Sequence, residues 1–352
     1  MNQGISQEGP NYSMELEVCG GCNAKLGAGD LSEILGKMEV FPRPEIVTGF
    51  EGSEDAAVFA MGEEAVLTTV DFFPPMVEDP FIFGAVAAAN ALSDIYAMNG
   101  TPITAMELVL FPQEGDLQQL EAIMAGAFHI CKEAEVAITG GHSIHDPKIK
   151  FGLSVTGRAK ISELIRNNTP QVGDVLFLTK PLGVSLVLSA HQVGEARDED
   201  VEKVLTSMTT LNKRALEILR PFEPHALTDV TGFGLLGHLS EMVADYSATV
   251  HMSSIVSFPG AREAAENFLF TAGGQRNRNH FGPRVAFQGV DFASEELLFD
   301  PQTSGGLLAA VAPEHQDAAI EALAAANIPY SVVGTVGERP ASDRHPLITV
   351  QA

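Results

Sequence analysis

Two cysteines and one lysine lie close together near the N-terminus, in the segment CGGCNAK from Cys19 to Lys25. A lysine near a thiol favours the thiolate, which is the nucleophilic form of cysteine. The neighbouring glycines allow the backbone to approach a ligand and to present N–H groups to an anion. The segment is therefore suited to attack on, or capture of, a phosphorylated or soft ligand.

The CxxC spacing of Cys19 and Cys22 is compatible with three further interpretations. A structural zinc site needs four ligands, usually as two close pairs, and the candidates for a second pair, His142 and His145, lie far along the chain. A thioredoxin-like redox pair follows a strand, and no strand pattern precedes Cys19. The motif alone favours the simplest interpretation, that both cysteines are small loop residues.

Four aspartates lie where a solvated surface charge is not expected. Asp55 precedes the apolar run AAVF, and Asp71 ends the run LTTV. Asp94 lies in an apolar helical segment four residues after Asn90, on the same helix face, and Asp229 ends the run ALT. One such aspartate is usually a helix cap or a turn former, but four are harder to explain in this way. Because Mg²⁺ binds a few carboxylates together with substrate phosphates, converging aspartates predict a magnesium–phosphate site.

Glycine-rich loops form the third feature, at GGHS (140–143), TKPLG (179–183), TGFGLLG (231–237) and TSGG (303–306). None matches the phosphate loop GxxxxGK[ST]. GFGLLG matches GxGxxG, but the acidic residue that a dinucleotide site needs about 20 residues later is missing near HMSS. Asp229 fits a metal ligand better, and no GxSxG segment supports a serine hydrolase.

The charge and the cysteine content limit the class of protein. The 352 residues carry a formal charge of −25 and have a pI of about 4.6, so nucleic acid and anionic membranes are not expected as partners. Three cysteines argue against a disulfide framework and favour a reducing cytoplasm. The N-terminus lacks the pattern of a signal peptide, and the longest apolar region, FGAVAAANALSDIYAM, is too short and too polar to span a bilayer.

Strand and helix patterns alternate in both halves of the chain, which predicts α/β or α+β layers. Residues 1–20 are predicted as a flexible N-terminal arm, 21–160 as an N-terminal domain, 161–174 as a linker and 175–352 as a C-terminal α/β domain. In the first half we predict strands at AAVF, AVLTTVDFF, ITAMELVLF, AIT and FGLSVTG, and helices at Leu31–Met38, Phe83–Met98 and from Asp116 to about Glu135. The segment GGHSIHDPK is predicted as a loop.

The second half is predicted from the same periodicities. We expect strands at VLFLT, ALTDV, ATVHM, ELLF and LLAAVA, and helices at Asp198–Leu219, Leu235–Tyr246 and Glu314–Ala325, the last of which precedes SVVGTVG. Residues Phe258–Gln288 are rich in Gly, Arg and Asn and are predicted as a long mobile loop.

Nine segments, in order, resemble the selenide, water dikinase (selenophosphate synthetase) family. They are CxxK near the N-terminus, EDAAVF, TTVDFF, NALSDIYAMNGTP, GGHSI, FGLSVTG, FLTKPLG, LTDVTGFGLLGHLSEM and DPQTSGGLL. The resemblance as a whole covers residues from about 19 to 337. TDVTGFGLLGHLSEM and DPQTSGG together are specific to that family, whereas TDVTGFG alone resembles segments of related ATP-binding enzymes.

The resemblance implies an enzyme that makes selenophosphate from ATP, selenide and water, with release of AMP and phosphate. It implies the two-domain fold of aminoimidazole ribonucleotide synthetase, with an N-terminal sheet or half-barrel domain that binds ATP and Mg²⁺ and forms a homodimer, and a C-terminal α/β domain. ATP and selenide are then the expected ligands and Mg²⁺ the expected cofactor. A selenium-delivery protein is a candidate partner.

The resemblance also implies the site residues. It places catalytic residues at Cys22 and Lys25, and metal ligands at Asp55, Asp94 and Asp229. The positions that match nucleotide contacts are Lys25, Gly52, Ser53, Glu54, Asp71, Asp94, Gly141, His142 and Ser143. Lys25 would stabilise charge on the transferred group, and the Cys22 thiolate would hold or orient the selenium species.

The chain departs from the family pattern at three places. Glu54 stands where relatives often have an aspartate before Asp55. Ala24 stands where the family often has another cysteine, so the role of Cys19 is open. The family's Arg–Asn pair matches either half of RNRN, residues 276–279.

Two alternative functions are kept open by the residues alone. The first is another enzyme of the same fold, such as an amidine-forming synthetase or a thiamine-phosphate kinase, which has no reason to place a thiol in the CxxK loop. The second is a non-catalytic carrier of metal or selenium, against which the intact aspartate set argues.

Overall fold

The structure is a computed structural model that describes residues 16–18, 20, 34–39, 41–49, 53–339 and 346–352. Four of the predicted functional positions, Cys19, Cys22, Lys25 and Gly52, lie outside the described residues, as does most of the predicted arm. The predicted helix Leu31–Met38 lies partly outside them and is helical at residues 34–35.

Six strands of the first half form one mixed sheet. They are β1 (Ile46–Thr48), β2 (Ala57–Met61), β3 (Glu64–Phe73), β4 (Thr101–Phe111), β5 (Ala137–His145) and β6 (Lys150–Lys160). The strand order is β1–β2–β3–β6–β4–β5. Neighbouring strands are antiparallel except β4 and β5, which are parallel. The order brings β3, the strand that ends in VDFF, to the middle of the sheet.

Two helices, α1 (Pro80–Ala97) and α2 (Leu117–Glu133), pack against one another and against this sheet. Asp79 caps α1 by accepting a hydrogen bond from the backbone N–H of Ile82 at 2.9 Å. Glycines set the close crossing of the helices, because a Cβ atom on Gly84 would lie 1.8 Å from the carbonyl oxygen of Ile123. Helix α1 is long and apolar enough for a membrane span, but 89% of it is buried inside the fold, as in a core helix.

Seven strands of the second half form a second mixed sheet. They are β7 (Val175–Thr179), β8 (Ala226–Asp229), β9 (Ser247–His251), β10 (Val285–Gln288), β11 (Leu307–Val311), β12 (Tyr330–Gly337) and β13 (Ile348–Gln351). Their order is β10–β13–β9–β12–β7–β11–β8, and only β13 pairs in parallel, with β9 and β10. The helices of this half are α3 (Val184–Gln192), α4 (Asp198–Thr209), α5 (Lys213–Leu219), α6 (Gly234–Met242), α7 (Ala261–Glu266), α8 (Ala272–Phe281), α9 (Phe292–Phe299) and α10 (Gln316–Ala325).

Two predictions of element type in the second half were wrong. The segment ELLF belongs to α9 rather than to a strand, because Asp291 caps a helix there by accepting a hydrogen bond from the backbone N–H of Ser294. The predicted loop Phe258–Gln288 contains α7, α8 and β10. Its Gly and Asn residues are typical of a loop, but the Thr271 side chain caps α8, and packing against the rest of the second half stabilises α7 and β10.

Two predicted boundaries were also wrong. The helix predicted over Asp198–Leu219 is two helices, because Thr210 takes an extended backbone and its hydroxyl donates back to the carbonyl of Thr206 at 2.7 Å. Six residues of the predicted loop GGHSIHDPK, 140–145, belong to β5 and pair in parallel with β4. Helix α3 and strand β13 were not predicted.

Candidate active site

Helix α1 presents three polar side chains, Asn90, Ser93 and Asp94, at spacings that place them on one face. All three are buried. The amide Nδ2 of Asn90 donates to Asp71 on β3 at 2.7 Å, and its Oδ1 accepts a hydrogen bond from the backbone N–H of Ser304 at 2.9 Å. Helix α1 therefore connects the middle of the first sheet to the TSGG loop of the second.

Asp94 lies at the centre of a group of four carboxylates. The hydroxyl of Thr69 on β3 donates to Asp94 Oδ2. Burial raises the pKa of Asp94 well above its usual range, and the nearby carboxylates of Asp71, Asp229 and Asp55 raise it further. Asp94 therefore interacts electrostatically with carboxylates from both halves of the chain.

Asp55 approaches this group from the first half of the chain and contacts the second half directly. The hydroxyl of Thr228 on β8 donates to Asp55 Oδ1 at 2.9 Å, and Asp229 is the last residue of the same strand. Burial, and then the Asp229 carboxylate, raise the pKa of Asp55 well above its usual range. Asp55 Oδ2 is buried and accepts no hydrogen bond in the described part of the chain.

These carboxylates do not form a ready-made metal cage. Among the described residues, no group of three His, Cys, Asp or Glu side chains is arranged to hold a metal ion on its own. Mg²⁺ usually keeps water ligands and binds one or two carboxylates plus substrate phosphates. The buried Oδ2 of Asp55 and the mutual repulsion of Asp55, Asp94 and Asp229 are features that a cation would satisfy, so this donor set fits Mg²⁺ bound together with phosphate.

The TSGG loop can pass close to its neighbours only because of its glycines. A Cβ atom on Gly306 would lie 1.4 Å from the carbonyl oxygen of Thr179, and one on Gly305 would lie 1.9 Å from that of Val230. The amide of Asn212 holds the same loop by donating to the Gly305 carbonyl at 2.8 Å. The loop is thus held in place against α1.

Lys180, in TKPLG, is buried below this loop. Its Nζ donates to the carbonyl oxygens of Ser304 at 2.8 Å and of Thr210 at 2.7 Å. Burial lowers the pKa of Lys180 to about 7, an effect that the Asp229 carboxylate opposes. Lys180 is a buried cation donor near the acidic group that the sequence did not single out.

The DPQ segment caps helix α3, the element that follows KPLG. Gln302 Oε1 accepts hydrogen bonds from the backbone N–H groups of Gly183 and Val184, at 3.2 and 3.1 Å. Asp300 Oδ2 accepts one from Ser185 at 3.0 Å. The free backbone N–H groups at the start of α3 are therefore hydrogen-bonded by side chains of the DPQ segment. The KPLG turn and the DPQTSGG segment stabilise one another, and these N–H groups are not available to bind a phosphate.

The predicted nucleotide segment Gly141–Ser143 lies away from the aspartates within one chain. Gly141 pairs with Glu107 on β4, while Asp71 on β3 pairs with Leu153 on β6. Two strands, β6 and β4, separate β3 from β5. At about 4.8 Å per strand, the separation along the sheet is roughly 14 Å. The structure therefore brings Asp55, Asp71, Asp94 and Asp229 together but leaves this segment at the sheet edge.

The Arg–Asn alternatives are structurally different. Asn277 is buried and donates to the carbonyl oxygens of Gly232 and Phe299, at 2.9 and 3.1 Å, which joins α8 to the TGFG loop. Arg278 instead forms ion pairs with Glu295 and Glu296 on α9. Asn277, in the first half of RNRN, therefore contacts the loop that follows Asp229.

Comparisons with known proteins agree with this architecture. Residues 53–159 match the family model described as AIR synthase related protein, N-terminal domain, and residues 171–345 match the corresponding C-terminal domain. The thiamine-monophosphate kinase of Stenotrophomonas maltophilia K279a has a similar fold, with a TM-score of 0.65 and 21% identity, over 96% of this chain and 97% of that chain. The predicted two-domain fold is confirmed.

Sequence similarity is much higher to one group of enzymes. The chain is 50% identical over 334 residues to the selenide, water dikinase of Agathobacter rectalis, covering 92% of this chain and 97% of the relative. It is 47% identical over 324 residues to the selenide, water dikinase of Desulfitobacterium hafniense strain Y51, covering 92% and 95%. The resemblance noted in the nine segments is confirmed, and the chain belongs to the selenide, water dikinase family.

Proposed function

We propose that the aspartate group between the two sheets is where this chain makes selenophosphate from selenide, ATP and water. The observation that supports this location is the convergence of buried carboxylates from both halves of a strongly acidic protein. In this proposal Asp55, Asp94 and Asp229 hold Mg²⁺, and the ATP phosphates bind beside them. Bound Mg²⁺ would neutralise charge on the phosphate oxygens.

The neighbouring polar side chains fix the orientation of the carboxylates. Thr69 and Thr228 each donate one hydrogen bond, to Asp94 and Asp55 respectively, and leave other carboxylate lone pairs for a cation. Phosphoryl transfer depends mainly on positioning and charge neutralisation. A group whose members are held from both sheets is suited to that task.

Cys22 and Lys25 are proposed as catalytic residues from the CxxK segment, which lies outside the described residues. Lys25 would stabilise negative charge on the transferred phosphoryl group, and Cys22 as the thiolate would hold or orient selenide. We expect Cys22→Ser to lose most turnover at limiting selenide, whereas Cys131→Ser, at a buried thiol on α2, should keep it. Full turnover of Cys22→Ser at limiting selenide would contradict this role.

We also propose a homodimer formed through the outer face of the first sheet. Large apolar side chains are exposed there on three strands, at Val70 (53%), Phe72 (47%), Met106 (54%) and Ile144 (50%). Val70 and Met106 both pair with Ser154, so their side chains lie in one row across the face. Several large apolar side chains exposed on one face of a sheet are typical of a protein interface.

A dimer would also explain why the 141–143 segment lies away from the aspartates of its own chain, since a second chain can approach that edge. Sedimentation velocity should give a dimer for the wild type and a monomer for the double variant Val70→Lys and Met106→Glu. A monomeric wild type would contradict the proposal. A cytoplasmic location and a selenium-delivery partner are further proposals, which depend on the sequence alone.

The activity is tested by incubating the chain with ATP, Mg²⁺ and selenide and following the products by phosphorus NMR. We expect selenophosphate, phosphate and AMP, all dependent on selenide. ADP as the end product, or AMP without selenide, would instead favour another kinase or synthetase of the same fold. Asp94→Asn should abolish the reaction, while Asp198→Asn, on the exposed start of α4, should not.

A further inference from the structure

Arg166, in the segment that links the two sheets, forms an ion pair with Glu54, the residue before Asp55, and we propose that this pair positions Asp55 for metal binding. The inference depends on the proposed magnesium site. It assigns Arg166 and Glu54 as positioning residues, which act on the metal through Asp55.

The Glu54 carboxylate is fully buried, and both of its oxygens accept hydrogen bonds from the linker, residues 161–174. Arg166 Nε donates to Glu54 Oε1 at 2.6 Å, and the backbone N–H of Asn167 donates to Oε2 at 3.2 Å. The Glu54 side chain is 0% exposed, whereas that of Arg166 is 44% exposed. Because a buried carboxylate needs partners, Glu54 keeps this orientation only while the linker supplies them.

The residue before Glu54 is held by the same linker. Ser53 has a φ of +53°, which is in the left-handed region that non-glycine residues rarely adopt. Asn167 Nδ2 donates to the Ser53 carbonyl oxygen at 2.6 Å. Asn167 is itself 2% exposed, so the linker supports the strained backbone that leads into Asp55.

The contacts close a ring that contains Asp55. The backbone N–H of Leu227 on β8 donates to the Arg166 carbonyl oxygen at 3.1 Å. The next residue, Thr228, donates to Asp55 Oδ1 at 2.9 Å. The ring runs from Asp55 through Glu54, Arg166 and β8 back to Asp55. Because β8 ends in Asp229, the linker fixes the position of Asp55 relative to Asp229, the proposed metal ligand from the second sheet.

Breaking the Glu54–Arg166 pair should loosen Asp55 without removing a metal ligand. Substitutions of residues that orient metal ligands typically weaken metal affinity by about 10-fold or more. We therefore expect weaker metal binding when either partner is replaced, and in the Arg166 variants a higher Mg²⁺ requirement with turnover at saturating Mg²⁺ largely kept. A residue that only stabilises the fold would lower the amount of folded protein and would not shift the metal requirement of what remains.

The experiment measures Mn²⁺ binding to the full chain by electron paramagnetic resonance, in the presence of the non-hydrolysable ATP analogue AMPPCP. The variants are Arg166→Met, Arg166→Lys and Glu54→Gln. The matched control is Glu163→Gln, which breaks the exposed pair between Lys160 and Glu163, Nζ to Oε1 at 2.7 Å, in the same part of the chain.

We expect about 10-fold weaker Mn²⁺ binding for Arg166→Met and Glu54→Gln, with partial recovery in Arg166→Lys and wild-type binding in Glu163→Gln. Wild-type Mn²⁺ affinity in Arg166→Met and Glu54→Gln would overturn the inference. If Arg166→Met fails to fold, Glu54→Gln decides by the same criterion, because it leaves no buried charge without a partner. A wild type that binds no Mn²⁺ would instead overturn the proposed metal site itself.

Discussion

Replacement of Glu107 by glutamine should change how the folding stability depends on pH. Glu107 lies on β4 opposite Gly141 and is 6% exposed, and its Oε1 has no hydrogen-bond partner in the described ranges. Burial raises the pKa of this carboxyl from 4.5 to about 7. The side chain therefore holds its proton in the folded protein under conditions where the unfolded chain has lost it.

The sign and the size of the effect follow from these two pKa values. A carboxyl with a raised folded-state pKa contributes stability that is complete below pH 4.5 and is lost as the pH rises through about 7. Between about pH 5 and about pH 8, the free energy of unfolding should fall by at most about 2.5 kcal/mol because of this residue. Glutamine resembles the protonated acid in shape and does not titrate, so the variant should lack this loss.

The assay is urea unfolding followed by circular dichroism, at about pH 5 and about pH 8, for the wild type and Glu107→Gln. The quantity to compare is the stability difference between the two proteins at each pH, because other buried carboxyls titrate equally in both. We expect the stability of the variant relative to the wild type to rise from the lower to the higher pH, by at most about 2.5 kcal/mol. Glu121→Gln, at an exposed position on α2, is the control and should follow the wild type at both.

Parallel stability curves for the wild type and Glu107→Gln across this range would refute the reasoning. They would mean that the Glu107 carboxylate is charged and solvated in the folded protein at neutral pH. Equal denaturant slopes in both proteins are needed for the comparison, because a change in slope would indicate that the variant alters the folded or unfolded state itself.

Two further predictions concern the site. Gly306→Ala should prevent normal folding, because the added Cβ would lie 1.4 Å from the carbonyl oxygen of Thr179. Gly49→Ala is the control and should be tolerated, because nothing lies within 4 Å of a Cβ atom there. A Gly306→Ala protein with the wild-type urea midpoint would contradict the close approach. Thr228→Val removes the hydrogen bond to Asp55 and should raise the Mg²⁺ concentration for half-maximal activity roughly 10-fold, while an unchanged Mg²⁺ dependence would show that Thr228 does not orient that carboxylate.

The aspartates were predictable from the sequence because each occupies a position where local structure already limits its side chain. Asp71 lies in an alternating strand on the same face as buried Leu67 and Phe73, and Asp94 shares a helix face with Asn90, so both side chains point into the protein. Asp229 is the last residue of a short, fully buried apolar strand, so its side chain also lies inside the protein. In the structure Asp94 and Asp229 are buried, Asp71 is half-buried and all three lie close together, which agrees with the pattern, while metal binding itself stays a prediction.

Tertiary contacts explain what the sequence did not reveal. ELLF is apolar and short enough for a strand, and only the cap at Asp291 and packing within the second half make it helical. The segment 140–145 has the glycines of a loop, but β4 provides a parallel partner for it. Lys180 was missed because a lysine beside a glycine turn is usually solvated, whereas this one is buried between two loops.

The acidic group is divided between the two sheets, and this affects how stably the two halves of the chain pack together. Asp55 and Asp94 belong to the first sheet and its helix, and Asp229 ends a strand of the second, so their repulsion acts across the boundary between the halves. Without a cation this repulsion opposes the contacts that hold the halves together, such as Ser304 with Asn90. A Mg²⁺ ion bound here as proposed would reduce this repulsion and so strengthen the contacts between the two halves, because a ligand that binds the folded state stabilises it. The carboxylates proposed to bind the metal would then couple its binding to the stability of the boundary between the halves.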